Sequence, residues 1–264
     1  MTAINPARLK TQVAELTAHY GESEPFIRRL HQLLNYYADR VRRPGLSGAP
    51  GPALPAYQVP QPVIRSVVRE VEPLLKRSPS RGLLLVDALW EEDWLEMKTF
   101  AGSLLGRIPP LNAGPLIKRF RSWALDCQER QILQVLGDEA LANLRAQHPE
   151  VVLSLVKELL SNHQRQGRII ALYILLPLAR DKSFHNLPLI FQALESYLGK
   201  EEGLRKELVS LLNALIKRSP SETYFFLQAQ FPGAAQPQMT RLIRGILPQF
   251  SPQRAQDLQE MIRK

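Results

Sequence analysis

Apolar residues recur every three or four positions along most of the chain. Between 149 and 160 they are Val151, Val152, Leu155, Val156, Leu159 and Leu160; between 201 and 218 they are Leu204, Leu208, Leu211, Leu212, Leu215 and Ile216. That spacing stacks side chains along one face of a helix. Convincing alternation at period two is missing, and so are hairpin dipeptides such as Asn-Gly, so the pattern predicts an all-α protein. Two helices are expected before residue 44, over 6–19 and 24–43.

The helices are punctuated in a repeating way. "LLKRSPS" at 74–80 returns as "LIKRSPS" at 215–221. Lys76 and Arg77 fall where cations offset the exposed carbonyls of a helix end. Ser78 is placed to cap the next helix, and Pro79 takes its first position, where a missing N–H costs nothing. Lys217, Arg218, Ser219 and Pro220 repeat the arrangement, and prolines 79, 115, 149, 188, 220 and 252 follow one another at intervals of 32–39 residues. Two helices and a turn have that length, so the prediction is an α-solenoid of HEAT-like antiparallel helix pairs. Residues 44–62, with six prolines and three glycines, break the rhythm and read as a loop or semi-rigid linker. The expected organisation is a helical pair over 1–43, the linker over 44–62, and a repeat array over 63–264. Array and N-terminal helices together form one continuous solenoid domain.

Composition narrows the function. A chain of 264 residues with 45% hydrophobic content can bury a sizeable core, and 34 basic against 25 acidic residues give a net charge of +9 and a pI near 9.8. Such a balance points to a polyanion, nucleic acid first and an anionic membrane surface second. Cys127 is the only cysteine, which excludes internal disulfides and cysteine-based zinc sites. The longest apolar run, "IIALYILLPLA" at 169–179, is shorter than the roughly 20 residues that span a bilayer, and the N-terminus lacks the apolar stretch of a signal peptide. A soluble cytoplasmic protein is expected. Gly-rich phosphate loops, His-Glu-x-x-His and Gly-x-Ser-x-Gly are all missing. His19, His31, His148, His163 and His185 lie in separate segments without metal-ligand spacing and read as surface or loop-end residues, so no metal is expected.

One constellation stands apart: "LIKRFRSWALDCQERQ" at 116–131. Lys118, Arg119 and Arg121 precede Trp123, and Asp126, Glu129 and Arg130 follow it. In a continuous helix over 126–136 those three would share a face. An anion site, a charge-stabilising site and a surface ion-pair network all fit the pattern. Arg28, Arg29, Arg40, Arg42 and Arg43 read as a solvated face. Arg165 and Arg168 stand near a helix start, and Arg205 and Lys206 occupy a comparable place one repeat on. Cations there oppose the helix dipole, a conflict that an external phosphate removes. Aligned along one edge of a solenoid, they would form a cationic trough suited to duplex DNA, with an acidic side chain exposed at its midpoint.

Four segments, "YQVPQPVIRSVVREV" (57–71), "LVDALWEEDWLEMKTFA" (85–101), "SWALDCQERQILQVLGDEAL" (122–141) followed by "HPEVV", and "GRIIALYILL" (167–176), resemble in order and spacing the DNA alkylation repair family of AlkD-like HEAT-repeat DNA glycosylases. The likeness runs from about residue 25 to 230. It implies base excision repair: release of cationic alkylated bases from double-stranded DNA by a monomer, without metal or cofactor and without drawing the lesion into a pocket. It also implies a carboxylate that stabilises an oxocarbenium-like transition state, tryptophans along the deoxyribose and an arginine on the DNA backbone. Glu129 falls where the family's catalytic aspartate is expected, with Asp126 at the preceding acidic position; Arg168 matches the arginine, and Trp123 lies in the Ser-Trp portion of the motif. With the charge pattern, the expected DNA-binding set is Trp123, Arg168, Arg165, Lys118, Arg121, Arg205 and Lys206. Leu125 and Ser210 stand where the family has aromatic residues, which marks a divergent member. The rival reading is a non-enzymatic HEAT-repeat scaffold for a protein partner, and the charge also permits RNA.

Overall fold

The structure, a computed structural model, describes residues 4–39, 53–161, 165–195, 198, 203–233 and 236–263. Among these the chain is all-α. It divides into two compact units, Met1–Val152 and Leu153–Lys264.

The first unit holds α1 (Pro6–Thr17), α2 (Ser23–Tyr37), α3 (Gln61–Arg77), α4 (Pro79–Glu91), α5 (Leu95–Leu105), α6 (Ala113–Asp126), α7 (Arg130–Asp138) and the short α8 (Ala142–Gln147). The division falls within α9 (Pro149–Ser161). The second unit holds α10 (Arg165–Arg180), α11 (Leu187–Glu195), α12 (Arg205–Arg218), α13 (Pro220–Gln230), α14 (Gln236–Ile246) and α15 (Pro252–Met261). Helix α2 stops at Tyr37, short of the expected 43, because Ala38 turns extended. Arg40, Arg42, Arg43 and residues 44–52 of the proline-rich segment lie outside the described residues, as does His163. Arg28 and Arg29 are exposed, Arg28 paired with Glu24 one turn away, as a solvated face should be.

Each unit is stacked as a solenoid stacks. Helices two apart pack together: α1 on α3, α3 on α5, α5 on α7 and α2 on α4 in the first unit, α10 on α12 and α12 on α14 in the second. The repeat length read from the prolines reappears as the sequence separation of side chains that meet. Asp87 meets Arg119, Trp90 meets Trp123, Tyr173 meets Glu207, Phe191 meets Phe226 and Tyr224 meets Asp257, pairs 32 to 35 residues apart. Parallel stacking is visible at both ends of α10 and α12. Arg165 at the start of α10 donates to the carbonyl of Gly203 just ahead of α12, and Arg218 at the end of α12 donates to the carbonyls of Leu178 and Ala179 at the end of α10.

The repeated Lys-Arg-Ser-Pro phrase is indeed punctuation, but the serine hydroxyls do not cap. Ser78 and Ser219 share nearly one backbone shape, φ −141° and −142°, and work through their peptide groups. Each N–H closes the preceding helix, on Leu74 and Leu215, and each carbonyl accepts the first bond of the next, from Gly82 and Thr223. Pro79, Pro149, Pro220 and Pro252 are the first residues of their helices. Helix α5 is buried along its whole length, with Phe100 and Met97 fully enclosed, and is the core of the first unit. Truncating Phe100 to Ala there would cost about 3–5 kcal/mol.

Candidate functional site

The condition for Asp126, Glu129 and Arg130 to share a face, a continuous helix over 126–136, is not met. Helix α6 ends at Asp126, Cys127 and Glu129 are extended, and α7 begins at Arg130, so Asp126 and Glu129 share no helical face. The apolar phase explains the break. The buried stripe of α6 runs Leu116, Phe120, Trp123, Ala124, and continuing it would bury Arg130, Gln131 and Gln134. The apolar residues that follow, Ile132, Leu133 and Leu136, are out of phase, and a short extended link resets them.

Glu129 is half-exposed at the start of α7. Its carboxylate does not cap that helix; Oε2 accepts the backbone N–H of Ala53 at 3.1 Å. The helix N-terminus beside it favours the anion. Asp126 is exposed, with only the Ser122 hydroxyl at 3.5 Å. Two glycines set where α7 lies. A Cβ on Gly106 would come 1.8 Å from the carbonyl oxygen of Glu139, and one on Gly102 would press on Leu136. Close packing of α5 on α7 brings the starts of both helices together, so the charges of Glu129 and of Lys98 in α5 both reach the Cys127 thiol. Burial dominates there and pushes the thiol up, which leaves Cys127 a packed side chain and not a nucleophile.

Trp123 is only 6% exposed and stacks on Trp90, ring centroids 4.5 Å apart and nearly parallel. Trp90 is the half-buried member of the stack, and the Lys98 ammonium sits 5.0 Å from its ring centre. Lys98 also donates to the Trp90 carbonyl at 2.6 Å. The sequence reading missed Trp90 and Lys98. Both lie in "LWEEDWLEMK", a stretch noted for family likeness but not for chemistry.

A second aromatic group adjoins the start of α5. The Tyr57 ring stacks on Trp94 at 4.2 Å. Its hydroxyl lies 2.8 Å from His31 Nδ1, and His31 Nε2 lies 3.1 Å from a Glu92 oxygen. With Nε2–H donating to the carboxylate, Nδ1 is left to accept from the tyrosine. Burial, with Glu96 and Glu92 nearby, raises the Tyr57 pKa and keeps the hydroxyl protonated. His31 is therefore no surface residue, contrary to expectation: it stands in mid-α2 and ties three segments together. His19, His148 and His185 do lie at helix ends or in a loop.

The basic residues fall into two sets. On α6, Lys118 is exposed, Arg121 is half-buried, and Arg119 is engaged by both Asp87 oxygens at 2.7 and 2.6 Å. In the second unit Arg165 and Arg168 occupy the first turn of α10, and Arg205 and Lys206 that of α12. Arg165, Arg205 and Lys206 are exposed and Arg168 is half-exposed. Because α10 and α12 run parallel, the four cations gather at two adjacent helix starts. The acid in the first turn of α12, Glu207, is buried and accepts from the Tyr173 hydroxyl at 3.2 Å. Leu125 is half-buried on α6 and Ser210 exposed on α12. Among the described residues no group of acidic, histidine or cysteine side chains could hold a metal ion, and no helix is long and apolar enough to cross a membrane.

The family model for DNA alkylation repair enzymes matches residues 30–245, a stretch that includes every residue of both basic sets, Glu129 and the aromatic groups. No curated protein matches the chain, and no solved structure does.

Proposed function

The chain belongs to the DNA alkylation repair enzyme family, and from that premise we propose that it binds duplex DNA and hydrolyses the N-glycosidic bond of cationic N3- or N7-alkylpurines, with Glu129 as the charge-stabilising carboxylate. The single observation that carries this reading is an acidic side chain left half-exposed at the link between α6 and α7, where its charge and that of Lys98, the cation over Trp90, both reach Cys127.

The chemistry asks little of the protein. An N3- or N7-alkylated purine already carries a positive charge, so it departs as a neutral base when the C1′–N bond breaks and needs no general acid. Positive charge passes to the sugar as an oxocarbenium-like species. A fixed carboxylate lowers the energy of that charge. Water then attacks C1′ and loses a proton to solvent, leaving free base and an abasic deoxyribose. Glu129 is one methylene longer than an aspartate, and the Ala53 N–H limits the freedom this adds. Trp123 and Trp90 take up each other's faces and Lys98 lies over the Trp90 ring, so the stack serves as a rigid wall in place of the direct tryptophan contact expected from the sequence. Affinity comes from Arg165, Arg168, Arg205 and Lys206, with Lys118 and Arg121 on the other unit, through phosphate contacts that weaken as salt rises. Asp126, more exposed and less held, adds negative charge nearby.

Release of 7-methylguanine from methylated duplex DNA tests the reading. The wild-type chain should release the base at least about a hundred-fold faster than Glu129→Gln. Equal release from both removes Glu129 from the mechanism. DNA binding without release would leave a non-excising DNA-binding member of the family.

A further inference from the structure

The proposed chemistry uses Glu129, yet the most enclosed acid in this part of the molecule is Glu96, in the first turn of α5 and 5% exposed. A carboxylate is costly to bury unless its oxygens are satisfied. Glu96 spends both on the main chain of one short segment: Oε2 accepts the N–H of Tyr57 at 3.1 Å and Oε1 that of Gln58 at 2.6 Å. Two successive N–H groups converging on one anion is the way a bent backbone grips a charge. Gln58 has φ 57°, the left-handed region that a side chain with a Cβ disfavours, so this bend persists only because its surroundings hold it.

The same segment reaches Glu129. Residues 53–58 lie along the start of α5, where Pro55 accepts the N–H of Leu95 at 3.0 Å. At one end the strap is fixed by Glu96, by the Tyr57–Trp94 stack and by the Tyr57–His31–Glu92 chain. At the other end Ala53 gives its N–H to Glu129. Pro55 between them fixes a backbone angle, so the five residues from Ala53 to Tyr57 act as a stiff lever and not as a loose tether.

We propose that Glu96 is a positioning residue for Glu129, acting through the strap formed by residues 53–58. Glu96 sets the strap, and the strap's Ala53 N–H sets the orientation of the Glu129 carboxylate. The inference rests on the reading of Glu129 given above, and two measurements keep the ideas separable.

The first is amide hydrogen exchange at Ala53 in the full chain, read by NMR. Protection at Ala53 in the wild type should be lost in Glu129→Ala, which leaves no acceptor, and equally in Glu96→Gln, whose amide no longer accepts from both strap N–H groups. Protection that persists in Glu96→Gln overturns the proposal, whatever the chain does to DNA. The second is single-turnover release of 7-methylguanine. Glu96→Gln should slow it about ten- to a hundred-fold with duplex affinity unchanged, as displacement of a reacting group does. Glu96→Asp, which keeps two acceptor oxygens, should recover part of the rate. Adding Glu96→Gln to Glu129→Gln should cause no further loss, and additive losses overturn the proposal. Should Glu96→Gln fail to fold, Ala53→Pro removes the donor at the surface and should slow release as Glu96→Gln would; an unchanged rate there also overturns it. A wild-type chain that releases no base defeats the proposed function, while exchange at Ala53 still decides whether Glu96 positions Glu129.

Discussion

In both units the starts of the stacked helices carry the chemistry, but with opposite character. In the first unit the starts of α5 and α7 hold Glu96, Glu129, Trp94 and the strap that carries Tyr57; in the second, the starts of α10 and α12 hold Arg165, Arg168, Arg205 and Lys206. The backbone device is the same each time, a row of helix N-termini brought together by parallel stacking. Acids agree with that partial positive charge and cations do not. A carboxylate placed there is favoured by the helix dipole, whereas clustered cations oppose it, a conflict that an external anion relieves. A protein that must hold a polyanion and also stabilise a developing cation gains by keeping the two tasks in different repeats, since an acid among the phosphate contacts would weaken them.

The sharpest way to break this comparison is to exchange one property without the other. Glu129→Gln should lower the rate of base release by about 3 kcal/mol or more in transition-state terms and leave duplex affinity unchanged. If affinity falls as well, the division of labour is wrong. The packing behind the acidic side can be tested next. Gly106→Ala forces a Cβ against a backbone carbonyl and should destabilise the protein by about 2–3 kcal/mol in urea unfolding. Gly245→Ala, whose added carbon would meet only Val209 and the Arg205 side chain from 3.3 Å, should stay within about 0.5 kcal/mol. Arg168→Ala should weaken duplex binding about ten-fold, reduce the slope of log affinity against log salt by about one, and leave release from the saturated complex nearly unchanged. The smallest effect is expected at Lys118→Ala on the acidic unit, a two- to three-fold loss of affinity at about 0.5 kcal/mol, read in the same titration. A Lys118 effect as large as that of Arg168 would mean that the cations work as one undivided set.

Much of this was readable in advance, for reasons that differ from residue to residue. Leu208, Leu211, Leu212 and Leu215 declare their helix because the period that buries them spans one turn. Lys217, Arg218, Ser219 and Pro220 declare its end because capping is a matter of a few bonds. The resemblance drawn from "SWALDCQERQILQVLGDEAL" led to Glu129, and the family match over 30–245 agrees with that likeness. Even the break between α6 and α7 was present as a phase slip, with polar Gln131 and Gln134 where the stripe of α6 would need apolar residues; Asp126, Glu129 and Arg130 would share a face only in a continuous helix. Trp123 was expected as a contact because the resemblance implies tryptophans along the deoxyribose, and it lies as the inner ring of a stack.

Local order along the chain thus settled the helical class, the ends marked by Lys-Arg-Ser-Pro, the repeat length and the family, since each depends on neighbours within a few residues or on a pattern that recurs. Tertiary structure alone decided which acid is buried and which is open, that His31 holds Tyr57, and that a proline-rich stretch lies across the starts of α5 and α7. Those outcomes rest on groups 26 to 76 residues apart, such as His31 with Tyr57 and Ala53 with Glu129. Their meeting depends on how closely one helix lies on the next, which two glycines and the volumes of a shared core determine together, and no short window of sequence contains that sum.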